Sequence, residues 1–260
     1  TLKSMKKIVV APDSFKGSLT SAEVADAVER GIKDVFPQCN VVKAGVADGG
    51  EGTVEAIVKA VGGDMYAASV TDPLGRPVKA AYGIVRSGGV KTAVMEMSAA
   101  SGLPLLLPDE LNPWITSTYG TGEMISDALN RGCRKFLVGI GGSATNDAGT
   151  GMLSALGVRF LDSRGQRLKG CGRDLESIVR IDMSSLMPAA RESEFIVACD
   201  VNTPFCGPDG AARVFAPQKG ADPQTAEALD RGMRSFARVI AGQFQTDIVP
   251  LSLSLIHISE

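Results

Sequence analysis

Short apolar runs alternate with amphipathic segments at the start of the chain. "KKIVVAP" has the uninterrupted apolar character of a buried strand, and "QCNVVKAGVAD" is a second run of this kind. The segment between them, "SAEVADAVERGIKDVF", is predicted to be a helix capped by Ser21, and "GTVEAIVKAVGG" is predicted to be a helix that ends at glycine. The apolar positions of the first helix recur at helical spacing: Val24, Ala27, Val28, Ile32 and Val35. This β-α-β-α order predicts a parallel sheet and an α/β fold.

The pattern changes at about Asp64, where alternating residues and glycine turns replace the helical spacing. "MYAASVTDPLGRPVKAAYGIVRSGGVKTAVMEMS" predicts an antiparallel meander, and the change suggests a domain boundary. A helix is predicted at "GTGEMISDALNRGC", strands at "FLVG" and "RESEFIVACDV", and a loop at "NTPFCGPDGAARVFAPQKGAD". The last helix, "PQTAEALDRGMRSFARVIAGQ", has Pro223 near its first turn.

Both ends of the sequence are interpreted as extraneous. Met5, followed by two lysines and an apolar run, has the pattern of a natural protein start. We therefore expect the preceding residues, "TLKS", not to belong to the native sequence. The alternation of "LSLSLIHISE" is typical of an amphipathic edge strand. A competing interpretation is that residues 253–260 resemble the translation of a sequencing-library adapter, which would make His257 an accident and the native protein longer than about Pro250.

Composition and charge exclude several classes of function. Apolar residues are 44% and charged residues 22%, as in folded globular proteins. A net charge of −2 gives no field that would attract nucleic acid or an anionic membrane, and 5% aromatic residues are too few for base-stacking platforms. Five cysteines without a C-x-x-C pair predict reduced thiols in a cytoplasmic protein. A single histidine, His257, argues against a Ser-His-Asp hydrolase.

Glycine-rich polar loops follow the first two predicted strands. In "VVAPDSFKGSLTSAEV" Ser14 and Lys16 precede a helix, where they suit a phosphate or a carboxylate, although a capped turn explains them equally well. "GVADGGEGTVEAI" contains Asp48 and three glycines, Gly49, Gly50 and Gly52, before the next helix. Carboxylates beside a glycine-lined helix start would repel phosphate unless Mg²⁺ intervened; a capping turn is the alternative.

Similar loops occur later in the chain. "STYGTGEMI" offers the Thr121 hydroxyl before a helix, but hydroxyl caps are common in helices. "VACDVNTPFCGPDGAARVFAPQKGA" has Asp200 at a strand end, as a candidate metal ligand or base, and Lys219 as a candidate phosphate partner. None of these loops is specific by itself, and the chain has no P-loop motif.

The stretch "FLVGIGGSATNDAGTGM" nearly matches a dinucleotide-binding turn. Gly139, Gly141 and Ala144 have the spacing G-x-G-x-x-A after a predicted strand, and Asp162 follows at a distance that suits a ribose contact. Against that interpretation, Asn146 and Asp147 stand where the helix should begin, and a carboxylate there opposes a pyrophosphate. Asp162 also lies in "LDSRGQRL", which predicts a turn. A dehydrogenase remains the alternative function.

Seven segments, in order and without large gaps, closely resemble the bacterial type I glycerate kinase family: "IVVAPDSFKGSLTSAEVADAVERGI", "ADGGEGTVEA", "VTDPLGRPVKAAYG", "EMSAASGL", "STYGTGEMI", "GIGGSATNDAGTGMLSALG" and "VACDVNTPFCGPDGAARVFAPQKGA". The resemblance implies ATP-dependent phosphorylation of D-glycerate to 2-phosphoglycerate with Mg²⁺. It also implies a flavodoxin-like domain, of which 5–64 is the first part, and an inserted mixed α/β domain at 65–250, with a non-native tail at 251–260. Family members continue after "TDI" with motifs that are absent here, so we expect this chain to be inactive or poorly folded.

Site residues are assigned from their positions in these motifs. The catalytic candidates are Lys16, Asp48 and Asp200, and the metal candidates are Asp147 and Asp200. The candidates for substrate or nucleotide binding are Ser14, Gly49, Gly50, Gly52, Thr121, Gly141, Gly142, Ser143, Asn146 and Lys219.

Overall fold

A computed structural model describes residues 7–12, 18–19, 21–43, 52–199, 203–249 and 257–258. The strands within these residues are β1 (Lys7–Val10), β2 (Asn40–Lys43), β3 (Gly63–Thr71), β4 (Pro77–Ser87), β5 (Val90–Glu96), β6 (Lys135–Gly139), β7 (Arg159–Leu161), β8 (Arg180–Asp182), β9 (Glu194–Ala198) and β10 (His257–Ile258). The helices are α1 (Ser21–Val35), α2 (Thr53–Val61), α3 (Ser98–Ser101), α4 (Tyr119–Asn130), α5 (Thr150–Ala155), α6 (Pro188–Arg191), α7 (Ala211–Phe215) and α8 (Pro223–Phe244). The chain is a mixed α/β protein.

The opening of the chain forms the predicted β-α-β-α unit. β1 and β2 pair in parallel, with Lys7 opposite Asn40, and α1 connects them. Ser21 begins α1, but its hydroxyl donates to the carbonyl of Pro12 at 2.7 Å. The parallel pairing confirms the order predicted from the apolar runs.

A six-stranded mixed sheet forms the centre of the fold, in the order β10-β9-β6-β5-β4-β3. β3, β4 and β5 are antiparallel neighbours, which confirms the predicted meander. β5, β6 and β9 are parallel to one another. β10 pairs antiparallel with β9 at the edge, as the alternating pattern predicts; the non-native origin of the tail stays a prediction.

Helices cover both faces of this sheet, because the strand residues alternate between two apolar clusters. On one face Tyr82, Met95 and Phe136 pack against Met124 and Ile125 of α4. On the other face α2 packs against the sheet through one small cluster, whose buried members are Val54, Val58, Val85 and Val94. A side chain at Gly83 would lie 2.2 Å from Cγ2 of Val58, so glycine permits the close approach of α2.

A third apolar cluster joins β7 and β8 to α8. Phe160, Leu175, Leu229 and Phe236 are among its buried members. Asp222 caps α8 by accepting a hydrogen bond from the amide of Thr225 at 2.7 Å, and the helix agrees with its prediction.

One secondary-structure prediction needs correction. The segment between β9 and α8, predicted to be a loop, contains α7 and a 3-10 turn at Pro217–Lys219. Because Ala211, Ala212 and Ala216 are buried in the third cluster, packing stabilises a helix too short for periodicity to indicate.

Candidate active site

The candidate site lies at the carboxyl edge of the central sheet. The register places Glu96, Gly139 and Ala198, the last residues of three parallel strands, side by side. The amide of Met97 donates to the carbonyl of Gly139 at 2.9 Å, and the amide of Ile140 donates to Ala198 at 3.4 Å. Open α/β sheets bind ligands in the loops beyond such strand ends.

The loop after β6 runs beside another loop rather than opening a helix. The amide of Leu103 donates to Gly142, and that of Ala144 donates to Ser101, both at 2.9 Å. Gly142 has φ 69°, a backbone conformation that favours glycine. α5 begins only at Thr150, whereas a dinucleotide turn leads directly into a helix.

Asp162 belongs to a turn, as its local sequence predicts. Its Oδ1 accepts hydrogen bonds from the amides of Arg164 and Gln166 at 2.9 and 2.8 Å. Together with the late start of α5, this geometry removes the support for a dinucleotide loop and for the dehydrogenase alternative.

Asp147 is a buried carboxylate, 1% exposed, that joins the starts of α4 and α5. Its Oδ2 accepts from the amide and hydroxyl of Thr118, both at 2.8 Å, and from the amide of Gly151 at 3.3 Å. Its Oδ1 accepts from the amide of Gly149 at 3.0 Å. Burial raises the pKa of Asp147, and these hydrogen bonds oppose that shift. The contacts give Asp147 a structural role and do not support its assignment as a metal ligand.

Lys219 reaches the loop after β6 from the 3-10 turn that precedes α8. Its Nζ donates to Oγ of Ser143 at 2.7 Å and to the carbonyl of Thr145 at 2.6 Å. Enclosure of the ammonium group lowers the pKa of Lys219 to about 8, and the charge of Asp147 acts in the opposite direction. Gly220, at φ 94°, ends the turn. A Cβ added to Gly220 would lie 2.3 Å from the carbonyl oxygen of Leu111.

Two other predicted binding residues lie in the interior. Thr121 is 1% exposed, and its hydroxyl is 2.7 Å from that of Ser101. The amide group of Asn146 donates to the sulfur of Met233 at 3.3 Å. These contacts stabilise the loops, and ligand binding by Thr121 and Asn146 stays a prediction. Sequence spacing did not reveal these partners.

Glu96, the last residue of β5, is not among the residues predicted from the sequence motifs. It is 8% exposed, and its Oε1 accepts a hydrogen bond from the amide of Val54, near the start of α2, at 2.9 Å. The available signal was an acidic residue at the end of the apolar run in "VKTAVMEMS". Gly52, a predicted binding residue, directly precedes α2 and has φ 91°. It lies two residues before Val54, which makes this contact.

The structure thus brings Gly141, Gly142, Ser143 and Lys219 together at the carboxyl edge. Gly52 lies two residues before Val54, whose amide donates to Glu96 at that edge. The remaining candidates lie outside the described residues: Ser14, Lys16, Asp48, Gly49, Gly50 and Asp200. Among the residues that the structure does describe, no group of three or more His, Cys, Asp or Glu side chains could hold a metal ion.

Two further properties concern the described part of the chain. Its free cysteines agree with the prediction of reduced thiols: Cys39, Cys133, Cys171, Cys199 and Cys206. None of its helices combines the length and the apolar character that crossing a membrane requires.

Comparisons with known proteins identify the family to which this site is related. The sequence model described as "Glycerate kinase family" matches residues 8–252. A glycerate kinase of Haemophilus influenzae is 51% identical over 90% of this chain and 61% of its own length. A glycerate 2-kinase of Escherichia coli is 46% identical over 93% of this chain and 63% of its own length. The chain spans about three fifths of the length of these curated relatives.

A solved structure is also similar to the chain. The crystal structure of a protein named glycerate kinase 2 from Salmonella typhimurium LT2 has a TM-score of 0.81 at 45% sequence identity. The match covers 95% of this chain and 66% of that chain.

Proposed function

The chain belongs to the glycerate kinase family, and from that premise we propose that the protein transfers a phosphoryl group from ATP to the 2-hydroxyl of D-glycerate, giving 2-phosphoglycerate. The observation that carries the proposal is the Lys219–Ser143 contact at the carboxyl edge of three parallel strands. It places a cation and a hydroxyl beside glycine backbone where α/β sheets bind small ligands. The name of the Escherichia coli relative supports the choice of the 2-hydroxyl.

Phosphoryl transfer depends chiefly on positioning and on the neutralisation of charge. An ammonium group has three N–H donors, and Lys219 uses two of them for Ser143 and Thr145. We assign the third donor to an anionic group, either a phosphate or the carboxylate of glycerate. Gly141 and Gly142 offer backbone groups on the same loop, since Gly142 is exposed and Gly141 is partly exposed.

The chemical step is assigned to residues outside the described part of the chain. Lys16, Asp48 and Asp200 remain our candidates for contacting phosphate and for accepting the proton of the hydroxyl. Asp48 and Asp200 would hold Mg²⁺, since this cation is bound through one or two carboxylates together with water and phosphate oxygens. We assign no step to the metal.

We also propose that residues 5–64 begin a flavodoxin-like domain, with 65–250 as an inserted mixed α/β domain. The parallel β1–β2 pair is separate from the central sheet. Apolar side chains of this pair are exposed to solvent: Val9 is 59% exposed and Val42 is 37% exposed. In α1, Val35 is 64% exposed. Apolar surface of this kind is expected where further strands or helices pack. This exposure supports a domain whose other elements come from sequence beyond the matched region.

The test is turnover of ATP in the presence of D-glycerate, with detection of 2-phosphoglycerate by an enolase-coupled assay. Two proteins are compared: the printed chain, and residues 1–248 joined to the part of the Haemophilus influenzae relative that follows its aligned region, here called the extended chain. We expect turnover by the extended chain and little or none by the printed chain. D-glycerate-independent ATP consumption, or a product that enolase does not accept, would contradict the proposal, provided that the intact relative is active in parallel.

A further inference from the structure

We propose that Glu96 is a positioning residue that fixes the start of α2 at the carboxyl edge of the central sheet; the inference rests on the function proposed above. Its Oε1 accepts a hydrogen bond from the amide of Val54 at 2.9 Å, across 42 positions of sequence. The side chain is 8% exposed, so water offers little competition for this contact.

The first turn of α2 has backbone amides without an acceptor inside the helix, so it needs an acceptor from elsewhere in the chain. The residue before it is Gly52, at φ 91°, which has no side chain to accept a hydrogen bond from the first turn. A carboxylate in that place satisfies one of the free amides and also interacts favourably with the positive end of the helix dipole. Glu96 therefore acts as a helix cap that is supplied by a distant strand.

Apolar packing alone leaves the position of α2 along its axis weakly determined, because such contacts are not directional. Val54 and Val58 pack on Val85 and Val94, which fixes the face that α2 turns to the sheet. The hydrogen bond from Val54 to Glu96 adds a directional contact at one end of the helix. That contact sets how far the first turn extends over the strand ends.

The same glutamate is tied to the proposed binding loop. Glu96 is in register with Gly139, and the amide of Met97 donates to the carbonyl of Gly139 at 2.9 Å. Gly141 and Gly142 follow two residues after Gly139 and lead to Ser143, which accepts a hydrogen bond from Lys219. The Glu96 side chain thus joins the first turn of α2 to the end of β5, which backbone pairing joins to the start of the loop after β6. Loss of the side chain would release the first turn of α2 from that edge.

Two substitutions distinguish positioning from participation in the chemistry. Glu96→Gln keeps a side-chain oxygen that can accept from Val54, whereas Glu96→Ala removes the acceptor. A positioning role predicts that glutamine restores most of what alanine loses. A proton acceptor or a metal ligand would fail in both variants.

The first measurement is hydrogen exchange of the amides of residues 53–56 in the printed chain. We expect Glu96→Ala to speed exchange about fivefold, which corresponds to the loss of a helix cap, about 1 kcal/mol. Glu96→Gln should stay within about twofold of the wild type, since it retains the hydrogen bond. The amides of α8 should be unchanged in both variants. Unchanged exchange at 53–56 in Glu96→Ala would overturn the inference.

The second measurement is kcat/KM for D-glycerate and ATP in the extended chain. We expect Glu96→Ala to lose about tenfold or more, as small displacements of a site do, and Glu96→Gln to keep most of the activity. Asp162→Ala is the matched control, because it also removes a carboxylate that accepts from backbone amides, but in the turn after β7. Equal losses in both Glu96 variants would refute a positioning role. An inactive wild-type extended chain would refute the proposed function alone, and hydrogen exchange would still decide the role of Glu96.

Discussion

Replacement of Asp147 by alanine is expected to destabilise the chain strongly. The substitution removes the acceptor of two buried amides, those of Thr118 and Gly151, and of the partly buried amide of Gly149. A buried donor left without a partner costs about 1–3 kcal/mol, so the two buried amides together cost about 2–6 kcal/mol. Since domains of this kind are stable by about 5–15 kcal/mol, this loss is a large fraction of the total, and Asp147→Ala should unfold at much lower denaturant concentration.

The assay is urea unfolding, followed by circular dichroism and by the fluorescence of Trp114, the single tryptophan. Asp147→Asn should lose less than alanine, because its amide oxygen can still accept from Thr118 while its nitrogen faces the donor of Gly149. Asp162→Ala is the control: its partner amides are exposed, so water replaces the carboxylate at a cost within about 0.5 kcal/mol. If Asp147→Ala costs no more than Asp162→Ala, the structural role assigned to Asp147 is wrong.

Three further changes have defined expected outcomes. Gly120→Ala should lower the melting temperature, because its Cβ would lie 1.8 Å from the carbonyl of Thr71; a melting temperature equal to the wild type would contradict that packing. Gly31→Ala, in open space within α1, should instead stabilise the chain by about 0.5–1 kcal/mol, and a loss of stability would contradict an unobstructed helical position for residue 31. Lys219 has a pKa of about 8 in the folded chain, below its ordinary value of 10.5, so the unfolded chain binds more protons between these values and stability should rise with pH there. Urea unfolding at several pH values should show this rise relative to Lys219→Met, and parallel profiles of the two proteins would contradict it.

Local sequence patterns predicted most of the fold, because the strands and long helices carry strong periodic signals. α8 illustrates this: apolar spacing and Pro223 near its start indicate the helix correctly. The short α7 was missed because five residues carry no measurable period, and its alanines are helical through burial in the third cluster. The pairing of β6 between β5 and β9 also depends on contacts between distant segments, which a local pattern does not contain.

The site was predictable only in part, for a related physical reason. Glycine and polar residues after strands indicated the loop at Gly141–Ser143, and the fold brings Lys219 to Ser143 of that loop; ligand binding by these residues stays a prediction. The same residue types also occur where side chains form hydrogen bonds in the interior, as Thr121 does with the hydroxyl of Ser101 and Asp147 does with the amide of Thr118. Sequence spacing does not distinguish these two uses, because the difference depends on which partners the fold brings near. Glu96 was missed since its partner is distant in sequence.

A crystal structure of the extended chain with D-glycerate and a nonhydrolysable ATP analogue would show where the two ligands bind. We expect an anionic group of one of them within hydrogen-bond distance of Nζ of Lys219 and Oγ of Ser143, at the carboxyl edge of β5, β6 and β9. Ligands bound elsewhere, with Lys219 still donating only to Ser143 and Thr145, would contradict it.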